Sequence, residues 1–94
     1  MASFDVGVIG LGAIGLPVSI NLSRSFKVQA WNRSALQNQQ LSDSSVQIVK
    51  DLKGFDTSNY LIVLSDQESI FELLNKGLLE ILEPDDLIIV LSSI

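Results

Sequence analysis

A glycine-rich hexapeptide between an apolar run and a helical pattern constrains the fold of this chain more than any other feature. The hexapeptide Gly-Leu-Gly-Ala-Ile-Gly occupies residues 10–15 and fits the pattern GxGxxG. Residues 4–9 before it are predicted to form a buried strand, and Ile14, Val18 and Leu22 recur every four residues, as on one face of a helix. In this context the first glycine permits a tight turn, the second lets a pyrophosphate approach the backbone, and the third lets the helix lie close to the sheet. The pattern therefore predicts a phosphate-binding loop made of Gly10, Leu11, Gly12, Ala13, Ile14 and Gly15. The alternative is a glycine-rich turn that holds no ligand.

Short apolar runs alternate with amphipathic stretches along the rest of the chain. Four further strands are predicted, at residues 27–31, 46–49, 60–64 and 87–91. Helical segments are predicted at residues 35–41, around Leu52 and Phe55, from Asp66 onward after the capping-box pair Ser65 and Glu68, and at residues 78–82. Gly77 is expected just past the end of the helix that starts at Asp66.

Strands that alternate with helices, and strands that are apolar at nearly every residue, are typical of a parallel sheet covered on both faces. We therefore predict an α/β fold of the Rossmann type, with three layers and a parallel sheet of about five strands in the order 3-2-1-4-5. In such sheets ligands bind at the carboxyl ends of the strands, where the strand order reverses between the first and the fourth strand.

The amino-acid composition excludes several kinds of site. The chain has 94 residues, which suits one small domain, and 47% of them are hydrophobic. It contains no cysteine and no histidine, which excludes disulfides, metal sites built on those residues, and catalysis by either side chain. We predict no metal site and no catalytic residue. With a net charge of −5 and no long apolar segment, we expect neither nucleic acid nor a membrane as partner, and a cytoplasmic location.

The residues after the second predicted strand bear on the choice of dinucleotide. About 20 positions after the glycine pattern, an Asp or Glu usually accepts a hydrogen bond from the ribose 2′-hydroxyl of NAD. This chain has Trp31-Asn32-Arg33-Ser34 there, with no carboxylate. Arg33 can pair with a 2′-phosphate, and Asn32 and Ser34 can add hydrogen bonds. We therefore predict NADP as the cofactor, with NAD less favoured; the alternative is an ordinary polar turn.

The order and spacing of several segments resemble a known family. Residues 8–17, Val-Ile-Gly-Leu-Gly-Ala-Ile-Gly-Leu-Pro, resemble the opening of the β-hydroxyacid dehydrogenases, which include 3-hydroxyisobutyrate and 6-phosphogluconate dehydrogenases. Residues 31–34 resemble the NADP-using members, and residues 77–94 resemble the run into the family's Asp-Met-Ser-Ser-Ile motif. The resemblance implies that Leu64, Ser65 and Ser69 border the adenosine ribose, and that Ser93 lies at the nicotinamide end.

The chain also departs from the family pattern. Val90 stands where the family has Asp, and Ser65 where it usually has Pro. The family's Ser-Gly-Gly substrate loop, and the catalytic lysine of its all-helical second domain, have no counterpart in residues 1–94. The resemblance implies that residues 1–94 are the N-terminal part of an NADP-binding domain, that the helical domain is missing in cis, and that this chain alone is inactive.

Two functions are consistent with these features. The first is the NADP-binding segment of a β-hydroxyacid dehydrogenase-like oxidoreductase, whose full-length parent would move a hydride between nicotinamide and a small hydroxy acid or carbonyl acid. The alternative is a non-catalytic dinucleotide-sensing or assembly module of a larger protein. The apolar strand at residues 87–91 also predicts self-association into a homo-oligomer where nothing else covers it.

Overall fold

The computed structural model describes residues 2–33, 38–64, 70–75 and 77–92. The strands are β1 (Val6–Ile9), β2 (Val28–Trp31), β3 (Gln47–Ile48), β4 (Asn59–Leu64) and β5 (Leu87–Ser92). The helices are α1 (Gly15–Leu22), α2 (Gln39–Ser42), α3 (Ile70–Asn75) and α4 (Leu78–Ile81), with a 3₁₀ turn at Leu52–Gly54. Strands and helices alternate along the chain, as the sequence predicts for an α/β fold.

The five strands form one parallel sheet in the order β3-β2-β1-β4-β5, which confirms the predicted topology. β1 lies at the centre, with β2 on one side and β4 on the other. Because the chain runs outward from β1 in one direction and then returns to its other side, the strand order reverses between β1 and β4. The carboxyl ends of these two strands therefore open a crevice at one edge of the sheet.

Helices cover both faces of the central strands and produce three layers. Successive side chains of a strand point to opposite faces. Val8 of β1 is fully buried in a cluster that includes Leu11 and Leu41, whereas Ile9 is fully buried in a cluster that includes Leu73 and Leu78. The two clusters are the two halves of the core, one on each face of the sheet.

Gln29 of β2 is a polar residue inside this core, with 2% of its surface exposed. Its side-chain N–H groups donate to the side-chain oxygen of Gln47 at 2.8 Å and to the carbonyl of Gly54 at 3.1 Å. Its side-chain oxygen accepts from the backbone N–H of Asp56 at 2.6 Å. These three bonds replace the hydrogen bonds to water that the amide loses on burial. Without them, a buried polar group would destabilise the fold.

Phe55 covers the sheet beside Gln29. A Cβ added to Gly7 of β1 would come within 2.8 Å of the Phe55 ring, so the ring uses the space that this glycine leaves. The ring also meets Tyr60 of β4 edge to face, with centroids 5.6 Å apart and the planes at 80°. Tyr60 is 3% exposed and thus belongs to the core.

Several predicted boundaries differ from the structure. The third strand was predicted at residues 46–49, but only Gln47–Ile48 pair with β2, and both are exposed at the sheet edge. The weak helix predicted at residues 35–41 is observed at Gln39–Ser42, because the Asn38 side chain accepts a bond from the N–H of Leu41 at 3.0 Å and caps its start. Residues 34–37, and the helix start predicted at Asp66 with Ser65 and Glu68, lie outside the described residues.

The end of the next helical segment agrees with the sequence. Gly77 has a φ of +101°, the left-handed conformation that glycine adopts most readily, and it separates α3 from α4.

Among the described residues β5 is not buried on both faces, which is the uncovered state in which the sequence predicts self-association. Its side chains from Leu87 to Leu91 remain 40–56% exposed. Within the described residues β5 pairs only with β4.

Candidate dinucleotide-binding site

The loop between β1 and α1 requires glycine at two positions for steric reasons. Gly10 has a φ of +103°, and a Cβ there would overlap the carbonyl oxygen of Val63 in β4. A Cβ on Gly15 would overlap the carbonyl oxygen of Gly10, because the start of α1 lies directly against the end of β1. The first and third glycines of the pattern therefore have the turning and packing roles that the sequence predicts.

The middle glycine, Gly12, lies in a different environment. Gly12 is exposed, and a Cβ added to it would meet nothing within 4 Å. No fold contact of the described chain therefore explains why this position is glycine. Open space in front of a backbone segment without a side chain is what close approach of a phosphate needs.

α1 begins at Gly15 and presents its first turn to the same open space. The residue before it, Ile14, makes no side-chain cap, and the first turn holds no acidic residue. The first backbone N–H groups of a helix have no partner within the helix and carry partial positive charge. Pro17 falls within this first turn and has no N–H, while the N–H groups of Leu16 and Val18 on either side donate to the carbonyls of Gly12 and Ile14 at 3.1 and 3.2 Å. The start of α1 thus has the features of an anion-binding helix end.

The end of β2 is tied to the glycine loop by two consecutive hydrogen bonds. The N–H of Gly10 donates to the carbonyl of Trp31 at 2.8 Å, which extends the pairing of β1 with β2. The N–H of Leu11 then donates to the side-chain oxygen of Asn32 at 2.9 Å. Asn32 therefore positions the loop, a role that the sequence analysis did not predict for it.

Arg33 lies next to Asn32, at the same edge of the sheet. Its Nη1 lies 3.2 Å from Oε2 of Glu72 in α3. The two side chains are 39% and 45% exposed. Sequence reasoning missed Glu72, because 39 residues separate it from Arg33 and no local pattern marks it. Only the packing of α3 against the sheet brings the carboxylate to the guanidinium.

The remaining predicted site residues divide into one that the structure describes and four that it does not. Leu64 ends β4 at the carboxyl edge, half-buried against the cluster that contains Ile9 and Leu73. Ser34, Ser65, Ser69 and Ser93 lie outside the described residues. At this edge the structure brings together the loop at residues 10–15, the pair Asn32 and Arg33, and Leu64.

Comparison of the chain with models of known protein families identifies its family. The model of the NAD-binding domain of 6-phosphogluconate dehydrogenase matches residues 5–94. The chain belongs to this family. Because the match is to an NAD-binding domain and includes the loop between β1 and α1, the chain's cofactor is a nicotinamide dinucleotide.

Solved structures share the fold of this NAD-binding domain. An imine reductase from a Pseudomonas species superposes with a TM-score of 0.70 and 21% identity, over 96% of this chain and 32% of the other. A structure named as an oxidoreductase from Pseudomonas putida KT2440 superposes with a TM-score of 0.70 and 20% identity, over 99% of this chain and 33% of the other. A D-isomer specific 2-hydroxyacid dehydrogenase family protein from Klebsiella pneumoniae 342 superposes with a TM-score of 0.64 and 22% identity, over 95% of this chain and 29% of the other.

A curated relative supports the same family. The decarboxylating 6-phosphogluconate dehydrogenase of Trypanosoma brucei brucei is 34% identical over 58 residues, which cover 58% of this chain and 12% of that protein. The chain therefore spans about a third of the length of its structural neighbours and a smaller share of this relative. Among the described helices, none has the length and apolar character needed to cross a membrane.

Proposed function

We propose that this NAD-binding domain binds NADP in preference to NAD, with Arg33 as the ligand of the 2′-phosphate. The observation that supports it is the position of Arg33 two residues after the end of β2, next to Asn32, whose side-chain oxygen accepts a bond from the glycine loop at 2.9 Å. A guanidinium there is a donor for a phosphate monoester, whereas a residue selective for NAD would be a carboxylate.

The surroundings of the loop support the same cofactor. Gly12 leaves room for a pyrophosphate, and the start of α1, which no side chain caps, brings partial positive charge to it. The side chain of Asn32 is a neutral amide that holds the loop through its oxygen, and unlike a carboxylate it adds no negative charge beside a 2′-phosphate. Ser34 is part of the proposal as a further donor, and Leu64, Ser65, Ser69 and Ser93 as residues along the cofactor.

In the longer protein, we propose that this domain serves a β-hydroxyacid dehydrogenase-like oxidoreductase. NADP supplies a hydride acceptor or donor at its nicotinamide ring. The residues of this chain bind and orient the cofactor, and the substrate loop and proton-donating lysine come from sequence beyond residues 1–94. On this proposal the isolated chain binds cofactor but turns over no substrate.

Calorimetric titration of the chain with NADP and, separately, with NAD tests the cofactor preference. We expect NADP to bind at least about tenfold more tightly, a difference of about 1.4 kcal/mol. Arg33→Ala should remove that preference and leave NAD affinity nearly unchanged.

Arg24→Ala is the matched control. Arg24 is an exposed arginine that follows α1 and lies at the amino ends of the strands, away from the glycine loop. It should keep the preference for NADP. Equal affinities for both cofactors in the unchanged chain, or a preference that survives Arg33→Ala, would overturn the assignment.

A further inference from the structure

The ion pair between Arg33 and Glu72 places a carboxylate where the sequence has none. No Asp or Glu occurs from residue 32 to residue 42, so the end of β2 carries only a positive charge along the chain. In space, Oε2 of Glu72 lies 3.2 Å from Nη1 of Arg33. The carboxyl end of β2 therefore has a guanidinium and a carboxylate side by side.

Buried neighbours determine the backbone positions of both charged residues. Arg33 comes two residues after Trp31, which is 6% exposed, and Glu72 comes directly before Leu73, which is 3% exposed. Trp31 and Leu73 belong to the same core cluster, between the sheet and α3. Since α3 and the end of β2 are fixed through that cluster, the core keeps Glu72 within reach of Arg33.

The pair itself is weak enough to exchange partners. Both side chains are more than a third exposed, and exposed ion pairs of this kind are screened by water and salt. A phosphate monoester carries nearly two negative charges at neutral pH, compared with one on a carboxylate, and it accepts two N–H bonds from one guanidinium. A 2′-phosphate therefore displaces Glu72 from Arg33, and the loss of the ion pair subtracts from the free energy of binding the phosphate.

We propose that Glu72 is a specificity-determining residue, whose carboxylate competes with the 2′-phosphate of NADP for Arg33 and lowers the ratio of NADP to NAD affinity. This inference rests on the proposed function of Arg33. NAD carries a hydroxyl in place of the phosphate, so its binding leaves the ion pair intact and bears no such penalty. Glu72 thus limits a preference that Arg33 creates.

Titration of Glu72→Gln with NADP and NAD tests the inference, since glutamine keeps the shape of the side chain and removes its charge. We expect the affinity ratio of NADP to NAD to rise about fivefold, which corresponds to about 1 kcal/mol. The same change should appear with the adenosine fragments alone, as a higher affinity for adenosine 2′,5′-bisphosphate relative to adenosine 5′-monophosphate. Glu80→Gln is the matched control, because Glu80 forms another exposed ion pair, with Lys53 at 3.5 Å, and should leave the ratio unchanged.

A double substitution separates this inference from the proposed function. In the Arg33→Ala background, Glu72→Gln should raise the ratio much less, because there is no guanidinium left to compete for. If Arg33→Ala removes the NADP preference but Glu72→Gln leaves the ratio unchanged or lowers it, competition is refuted while the cofactor assignment stands. An equal rise in both backgrounds would also refute competition for Arg33. If the unchanged chain shows no NADP preference, the proposed site fails and this inference fails with it.

Discussion

The side-chain oxygen of Asn32 accepts a hydrogen bond from the backbone N–H of Leu11 at 2.9 Å. A residue at the end of β2 thereby fixes the conformation of the loop that follows β1. In the usual NAD-selective arrangement the acidic residue at this place bonds the ribose instead. The bond in this chain shows that Asn32 shapes the glycine loop. On the proposed function this separates two tasks, since Arg33 is then the residue that meets the substituent at the 2′ position.

Substitutions of Asn32 should separate those tasks. Asn32→Asp keeps an acceptor for Leu11 but adds a charge, so NADP affinity should fall about tenfold more than NAD affinity. Asn32→Ala removes the acceptor, so both cofactors should weaken alike, by about fivefold for the loss of one hydrogen bond. Calorimetric titration of each variant measures both effects. A uniform loss of affinity in Asn32→Asp would contradict the role given to the charge.

Gly12→Ala should weaken cofactor binding and spare stability, whereas Gly15→Ala should lower stability. A Cβ at Gly12 meets nothing within 4 Å, so Gly12→Ala should leave the free energy of unfolding within about 1 kcal/mol while weakening both cofactors at least about tenfold. A Cβ at Gly15 overlaps the carbonyl oxygen of Gly10, so Gly15→Ala should cost about 1–3 kcal/mol of stability. Urea unfolding and cofactor titration on both variants check this. Full cofactor binding by Gly12→Ala would argue against a phosphate at that loop.

Alkaline pH should destabilise the fold through Tyr60. Burial, and then the negative charges of Asp86, Asp56 and Glu83, raise the pKa of the Tyr60 hydroxyl in the folded chain. The unfolded chain releases this proton near the ordinary value of about 10, so stability is fully present below that pH and falls as the pH rises through the folded pKa. Tyr60 is the only tyrosine, so ultraviolet absorbance of the phenolate follows its ionisation directly.

Tyr60→Phe provides the control for this pH dependence. It removes the ionisation but keeps the ring that meets Phe55. Urea unfolding between about pH 9 and pH 11 should show a smaller loss of stability in the variant. Equal losses in both proteins would assign the effect to other groups, and a midpoint of phenolate absorbance below that of a free tyrosine would contradict the raised pKa.

The exposed residues of β5 should make the purified chain self-associate. Side chains from Leu87 to Leu91 are 40–56% exposed on an edge strand, and in a purified sample a second copy is the partner at hand. Ile89→Lys should lower the associated fraction in sedimentation velocity, because a charge on an edge opposes pairing. Ile48→Lys is the matched control on the opposite edge, where Ile48 is 47% exposed. A monomeric chain at all concentrations would contradict the prediction.

The sequence predicted the topology because the topology depends on local patterns. The apolar runs and the glycine loop each lie within a few residues and predict the elements, and the rule for doubly wound sheets then supplies the strand order that the structure confirms. The length of β3 was overestimated, because an apolar residue such as Val46 does not by itself reveal whether its backbone reaches a neighbouring strand.

Sequence reasoning could predict only those site residues that are identified by their spacing along the chain. The glycine loop and the pair Asn32 and Arg33 were found from their spacing, whereas the bond from Asn32 to Leu11 and the carboxylate of Glu72 depend on tertiary contacts 21 and 39 residues apart. A single sequence carries no signal for a specific charge pair at that distance, because many acidic residues would have been equally suitable by composition.

The buried amide of Gln29 has a consequence for mispairing. If β2 slipped by one residue, Gln29 would turn to the other face, and an apolar neighbour would stand where its amide now meets Gln47, Gly54 and Asp56. Each polar group left without its partner inside the core would cost about 1–3 kcal/mol. The two-residue strand β3 offers few backbone bonds of its own, so the bonds of the Gln29 amide favour the native register of β2 over a register shifted by one residue.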